Sequence, residues 1–166
     1  MPLEHVVVVT VAACSAGKGL GIRKAGMGIK KQEFYEGAAL HLLARTGLIT
    51  SLRYESPFFL LNGSVLVYLK YSTRGRSPWG FTFMPDEQVV LQARASEFKV
   101  IIGLICGADG VAALSSDAYF SVAVLSKSAV HVSCYRKHGE HFEVNGPDGT
   151  LSKKIAPSTW RRILEN

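Results

Sequence analysis

The sequence predicts a single mixed α/β domain built as a central mixed sheet flanked by helices, and three observations carry that reading. First, hydrophobic residues make up 48% of the 166 positions and charged residues 19%, a balance that belongs to globular chains able to bury a core without disulfides. Second, short β-branched and aromatic runs recur along the chain, bounded by Gly, Pro and Asn. Third, two of the intervals between those runs have helical spacing and no internal Pro. No repeat or linker divides the chain, so residues 1–166 are read as one domain.

The elements follow in order. Val6 to Ala13 is apolar and β-branched, and Met1 to His5 before it holds no Lys or Arg. It therefore reads as a strand and not as an export signal, and it is too short to span a bilayer. Ser15 to Lys30 is rich in Gly and Lys and predicts a loop. Gln32 to Thr46 predicts a helix stopped by Gly47, and Leu48 to Tyr54 a short strand. Phe58 to Leu61, Asn62-Gly63 and Val65 to Tyr71 form the clearest hairpin, because Asn-Gly suits a type I′ turn with positive φ at both positions. Ser72 to Pro78 is a polar loop containing Arg74 and Arg76, and Trp79 to Phe83 an aromatic strand.

Asp86 to Glu97 predicts a second helix with Val89, Val90 and Ala93 inward. Phe98 to Cys106 is a continuous apolar run of the kind buried on both faces of a sheet. Val111 to Leu114 and Val122 to Leu125 are further short apolar runs. Val130 to Tyr135 alternates as a half-buried strand does, with Phe142 to Val144 placed to pair with it. Ser158 to Leu164 predicts a short helix capped by Ser158.

Charge and cysteine usage bound the function classes. The 19 Lys and Arg against 13 Asp and Glu leave a net charge of +6, concentrated in Lys18 to Lys31 and Lys153 to Arg162. Such a balance favours polyanionic partners. Cys14, Cys106 and Cys134 are isolated and in apolar contexts, so neither a zinc ribbon nor a disulfide framework is legible, and a reducing, cytoplasmic setting is expected. No cofactor and no membrane association is expected; a homo-oligomer stays open.

Several motifs fail on inspection. Ala16-Gly17-Lys18-Gly19 suggests a phosphate-binding loop, but Ala12 stands where its first Gly belongs and Gly19 where it needs Ser or Thr. His138 and His141, near Glu140 and Glu143, have the look of metal ligands and are better read as an exposed turn. No GxGxxG or GxSxG occurs.

One constellation survives: Glu36 on the first helix, a strand beginning at Pro57, a second strand ending in Val67-Tyr68-Leu69-Lys70, and the Arg74/Arg76 loop. In order and spacing it resembles the PD-(D/E)xK, or restriction-endonuclease-like, nuclease superfamily over about residues 31–114. That resemblance implies a Mg²⁺ site made by an Asp, a Glu and a Lys. Phe59 stands at the position matched to the Asp and Tyr68 at that of the second acid, while Glu36 and Lys70 match. The implied reading is a nuclease-like domain that has lost catalysis and binds DNA, RNA or another macromolecule. Lys18, Arg23, Lys24, Lys30, Lys31, Arg74 and Arg76 would supply charge, and Trp79 a stacking surface.

Two alternatives stand beside it. One is an active Mg²⁺-dependent nuclease using Glu36, Glu55 and Lys70. The other is a small homo-oligomeric interaction protein with no nucleic-acid role. Against the resemblance itself stands a blander reading, in which Glu36 is a solvated helix residue and Lys70 a strand-end lysine reaching water. Convergence of Glu36 and Lys70 in one concave site is the expectation that bears most on the choice.

Overall fold

The computed structural model describes the backbone of residues 8–11 and all of residues 28–165. The chain is α+β. Strand β1 (Val8–Val11) precedes helix α1 (Lys31–Ala44), then come β2 (Ser51–Glu55), β3 (Phe58–Leu61), β4 (Val65–Tyr71) and β5 (Trp79–Phe83). Helix α2 (Pro85–Ala95) leads to β6 (Lys99–Ile105), β7 (Val111–Ser115) and helix α3 (Ser116–Val122), followed by β8 (Val130–Tyr135), β9 (Glu143–Gly146) and β10 (Gly149–Thr150).

The strands divide between two sheets, which the sequence reading had not anticipated. Six form a mixed sheet in the order β1-β2-β3-β4-β6-β7, and four form a sheet in the order β10-β9-β8-β5. In the large sheet β1/β2 and β4/β6 are parallel, and every other pairing is antiparallel. Return from β4 to its parallel neighbour β6 needs a long crossover. That crossover contains both α2 and β5, and β5 pairs with β8 in the second sheet.

Pleating assigns each face of the large sheet its own core. On one face Val67, Leu69, Ile101 and Ile105 pack with Ala39 and Leu43 of α1 and with Trp160 of the C-terminal 3₁₀ turn. The indole N–H of Trp160 donates to the Ala39 carbonyl at 2.9 Å, tying that turn to α1. On the other face Leu66, Tyr68, Ile102 and Leu104 meet Leu91 of α2, Tyr119 of α3 and Phe81, Val132 and Val144 of the second sheet. The second sheet thus covers the face that α1 leaves open.

The hairpin forms as its residues require, with Asn62 at φ 52° and Gly63 at φ 66°. Asn62 does more than turn the chain. Its Oδ1 accepts from Thr50 N, Thr50 Oγ1 and Ser51 N, and its Nδ2 donates to Leu48 O at 2.9 Å. It therefore clamps the entry to β2 onto the β3–β4 turn. Asn62→Ala should cost about 2 kcal/mol by denaturant unfolding, since it removes those bonds and places a Cβ-only residue at positive φ. An unchanged midpoint would show the clamp to be idle.

Three expected elements need correction. Val89 and Val90 of α2 are 56% and 40% exposed and Ala93 is exposed too, whereas Gln88 and Leu91 are buried; one helical turn separates that pair, so the inward stripe is Gln88/Leu91. Val122 ends helix α3, capped by the Ser115 hydroxyl accepting from Ala118 N, and Val124 and Leu125 lie exposed outside any strand. The C-terminal turn is 3₁₀ over Pro157–Arg162, and Ser158 does not cap it. Among the described residues no helix is long and apolar enough to cross a membrane.

Candidate functional site

A cleft of about 740 Å³ lies at the C-terminal end of β4 and along β5, lined by Tyr68, Lys70, Arg74, Thr82, Glu87 and His131 among others. Ligand sites of sheet proteins favour the region beyond the carboxyl ends of parallel strands, and β4 is parallel to β6.

Its floor is a three-residue cluster. Lys70 Nζ lies 2.6 Å from Glu87 Oε1, and the Tyr68 hydroxyl donates to the same oxygen. Oε2 of Glu87 accepts from Met84 N–H at 2.6 Å, at the N-terminus of α2. Burial alone would raise the Glu87 carboxyl, but the Lys70, Tyr68 and Met84 donors together hold it below its ordinary 4.5. Tyr68 is pushed far above the ordinary phenol range, by burial first and then by its bond to Glu87 and the negative charges of Glu87 and Glu36. The floor is thus a closed ion pair with a neutral phenol. Lys70 also sits 5.3 Å from the Phe83 ring centroid, within cation–π reach.

Glu36 and Lys70 line different hollows, although the charge of Glu36 reaches Tyr68. Lys70 follows Leu66 and Tyr68 on the face covered by α2 and the second sheet, while Glu36 is on α1, which packs on the opposite face. Glu36 lines a separate hollow with Tyr54, Phe59 and Lys30, and Gln32 stands between the two, lining both. The Gln32 amide donates to Glu36 Oε1 at 2.6 Å. Burial raises the Glu36 carboxyl, against the lowering by Gln32, and Glu33 adds to the rise.

Phe58 and Phe59 point to opposite faces of the large sheet, as neighbours on a strand must. Phe58 is opposite Tyr68 in register and belongs to the same core cluster, whereas Phe59 packs on the α1 side and touches Tyr54 at 5.0 Å between ring centroids. The residue sharing a face with Tyr68 and Lys70 is therefore Phe58, 1% exposed, and not Phe59. Neither side chain is a metal ligand. Glu55 is held by Arg53 at 2.7 Å and approached by Arg94 at 3.9 Å. Among the described residues no three His, Cys, Asp or Glu side chains gather as a metal would need. The described residues of the cleft do not fit a catalytic Mg²⁺.

Of the residues expected to contact nucleic acid, Arg74 lines the cleft, with its Nη1 donating to Pro78 O at 3.1 Å. Arg76 is exposed in the same loop, and Lys30 and Lys31 are exposed at the start of α1. Lys18, Arg23 and Lys24 lie outside the described residues. Trp79 is corrected: it is 1% exposed and packs edge-on against Phe142, so it offers no stacking face. Tyr71 is the aromatic at the rim, half-buried and stacked on Tyr35 at 4.8 Å and 13°.

The residues that sequence reading missed are Glu87, Thr82 and His131. Thr82 and His131 face each other across the β5–β8 pairing, with Oγ1 and Nδ1 3.4 Å apart. A Cβ built on Gly80 would lie 2.8 Å from His131 Cε1, so the missing side chain is what lets the imidazole lie along β5. Of these, only Glu87 left a local trace, a Glu three residues past Met84 at the start of a Pro-initiated helix. Compared with known proteins, the chain matches no family model, no curated protein and no solved structure.

Proposed function

We propose that this domain is a nuclease-like scaffold without metal-dependent catalysis, whose cleft and adjoining basic loop bind nucleic acid. The observation that carries the reading is the state of the cleft floor. The positions that share a face with Lys70 are Phe58 and Tyr68, and the carboxylate present there, Glu87, is consumed by Lys70, Tyr68 and a backbone N–H. A floor so arranged has no free hard-oxygen ligands for Mg²⁺.

Binding is favoured by the net charge of +6 and by Arg74 and Arg76 in the loop at the cleft mouth. Attraction of this kind is chiefly electrostatic, so affinity should fall steeply with salt. Fluorescence anisotropy with labelled DNA and RNA, repeated across salt concentrations, tests it. Arg74→Ala/Arg76→Ala should weaken binding on every sequence and reduce the log–log salt slope by about 1 to 2. An unchanged slope would place the contacts elsewhere on the molecule. No binding at low salt would favour an interaction protein with no nucleic-acid role.

A further inference from the structure

We propose that the cleft seats a nucleobase from a single strand, with the phosphates held at its rim, and that it does not read duplex. This rests on the nucleic-acid reading above and narrows it to one substrate class.

Charge distribution is the first support. The floor cation Lys70 is neutralised at 2.6 Å by Glu87, so a phosphate entering the cleft would gain little from it and would meet the Glu87 carboxylate. Free positive charge lies at the mouth, on Arg74 and on the exposed Arg76. The rest of the lining adds hydrogen-bonding groups: the exposed Thr82 hydroxyl, Gln32 amide and His131 imidazole, and the half-buried Ser133 hydroxyl. Those groups suit the edges of a base, which carries donors and acceptors without charge.

Shape is the second. At about 740 Å³ the cleft has the size of a small-molecule site and not of an extended groove. A base paired and stacked within a duplex cannot enter it without being extruded, at a cost of a few kcal/mol, whereas a single strand presents its bases freely. A planar group is in place as well: the exposed His131 imidazole, set over Gly80 of β5, lines the cleft. Such rings are what unpaired bases stack upon.

Four fluorescent probes of equal length test the proposal on the full chain: single-stranded DNA, single-stranded RNA, duplex DNA and an abasic strand. Both base-bearing single strands should bind at least tenfold more tightly than the abasic strand or the duplex. His131→Ala, an exposed change, should lower affinity for the base-bearing strands by roughly five- to a hundredfold and leave the abasic strand unaffected. Arg74→Ala should weaken all probes alike. Thermal unfolding of each variant verifies that the domain is intact. Equal affinity for abasic and base-bearing strands, or for duplex and single strand, overturns base insertion while leaving nucleic-acid binding in place. Failure of every probe at low salt overturns the nucleic-acid reading itself, and base insertion with it.

Discussion

Gly146→Ala is expected to destabilise the domain by about 3 kcal/mol, the upper end of what overpacking usually costs. A Cβ at Gly146 would lie 2.1 Å from the carbonyl oxygen of Val122 and 2.8 Å from its carbonyl carbon. Both are backbone atoms at the end of α3, so no rotamer change relieves the contact. The same carbonyl accepts from Asp148 N at 3.1 Å, and Asp148 Oδ2 accepts from Val124 N at 2.7 Å. Displacing Val122 therefore breaks the lock between α3 and the β9–β10 hairpin. Gly37 supplies the contrast. It lies in α1, exposed, with nothing within 4 Å of its Cβ position, and Gly37→Ala should stabilise by about 0.5 to 1 kcal/mol. Urea unfolding of the two variants should move the midpoint in opposite directions. A neutral Gly146→Ala would mean that β9 does not approach α3 as described.

Glu87→Ala is expected to lower stability by about 2 kcal/mol at neutral pH, because it strands the partly buried Lys70 ammonium and the Tyr68 hydroxyl. The sign of the pH dependence follows from the direction of the Glu87 shift. Its folded carboxyl is held below the ordinary 4.5, so the folded state binds that proton less readily than the unfolded chain does. The resulting stabilisation is complete above 4.5 and is lost as pH falls through the lower folded value. Wild type and Glu87→Ala should therefore differ at pH 7 and converge in strong acid. Glu87→Ala should also free the Lys70 charge and tighten low-salt binding of every polyanion several-fold. A stability difference independent of pH would contradict the ion pair, as would weaker binding.

Local signals made part of this legible. Asn62-Gly63 set the β3–β4 hairpin, the unbroken apolar run over β6 marked a strand covered on both faces, and the alternation of β8 survived as alternating burial. What stayed hidden depends on contacts distant in sequence. Glu87 lies 17 residues from Lys70 and 19 from Tyr68, and no local pattern pairs them. Trp79 looked like a surface aromatic because it follows a polar loop, yet pairing of β5 with β8 turns it into the core. Phe58 and Phe59 point to opposite faces, as neighbours on a strand must, and only the pairing of β3 with β4 shows which of them shares a face with Tyr68. Glu36 was correctly placed on a helix, but only the packing of α1 shows which side of the sheet that helix covers.

Incubation of single- and double-stranded DNA and RNA with the purified protein in Mg²⁺, in Mn²⁺ and in EDTA, resolved on native and denaturing gels, tests the central claim most directly. With Phe58 and Tyr68 on the face of Lys70 and with Glu87 consumed by Lys70, every strand should remain full-length in all three conditions. On native gels the nucleic acid should be retarded at low salt and released as salt rises. Cleavage that needs Mg²⁺ or Mn²⁺, disappears in EDTA and is abolished by Glu36→Ala would contradict the account and establish an active nuclease.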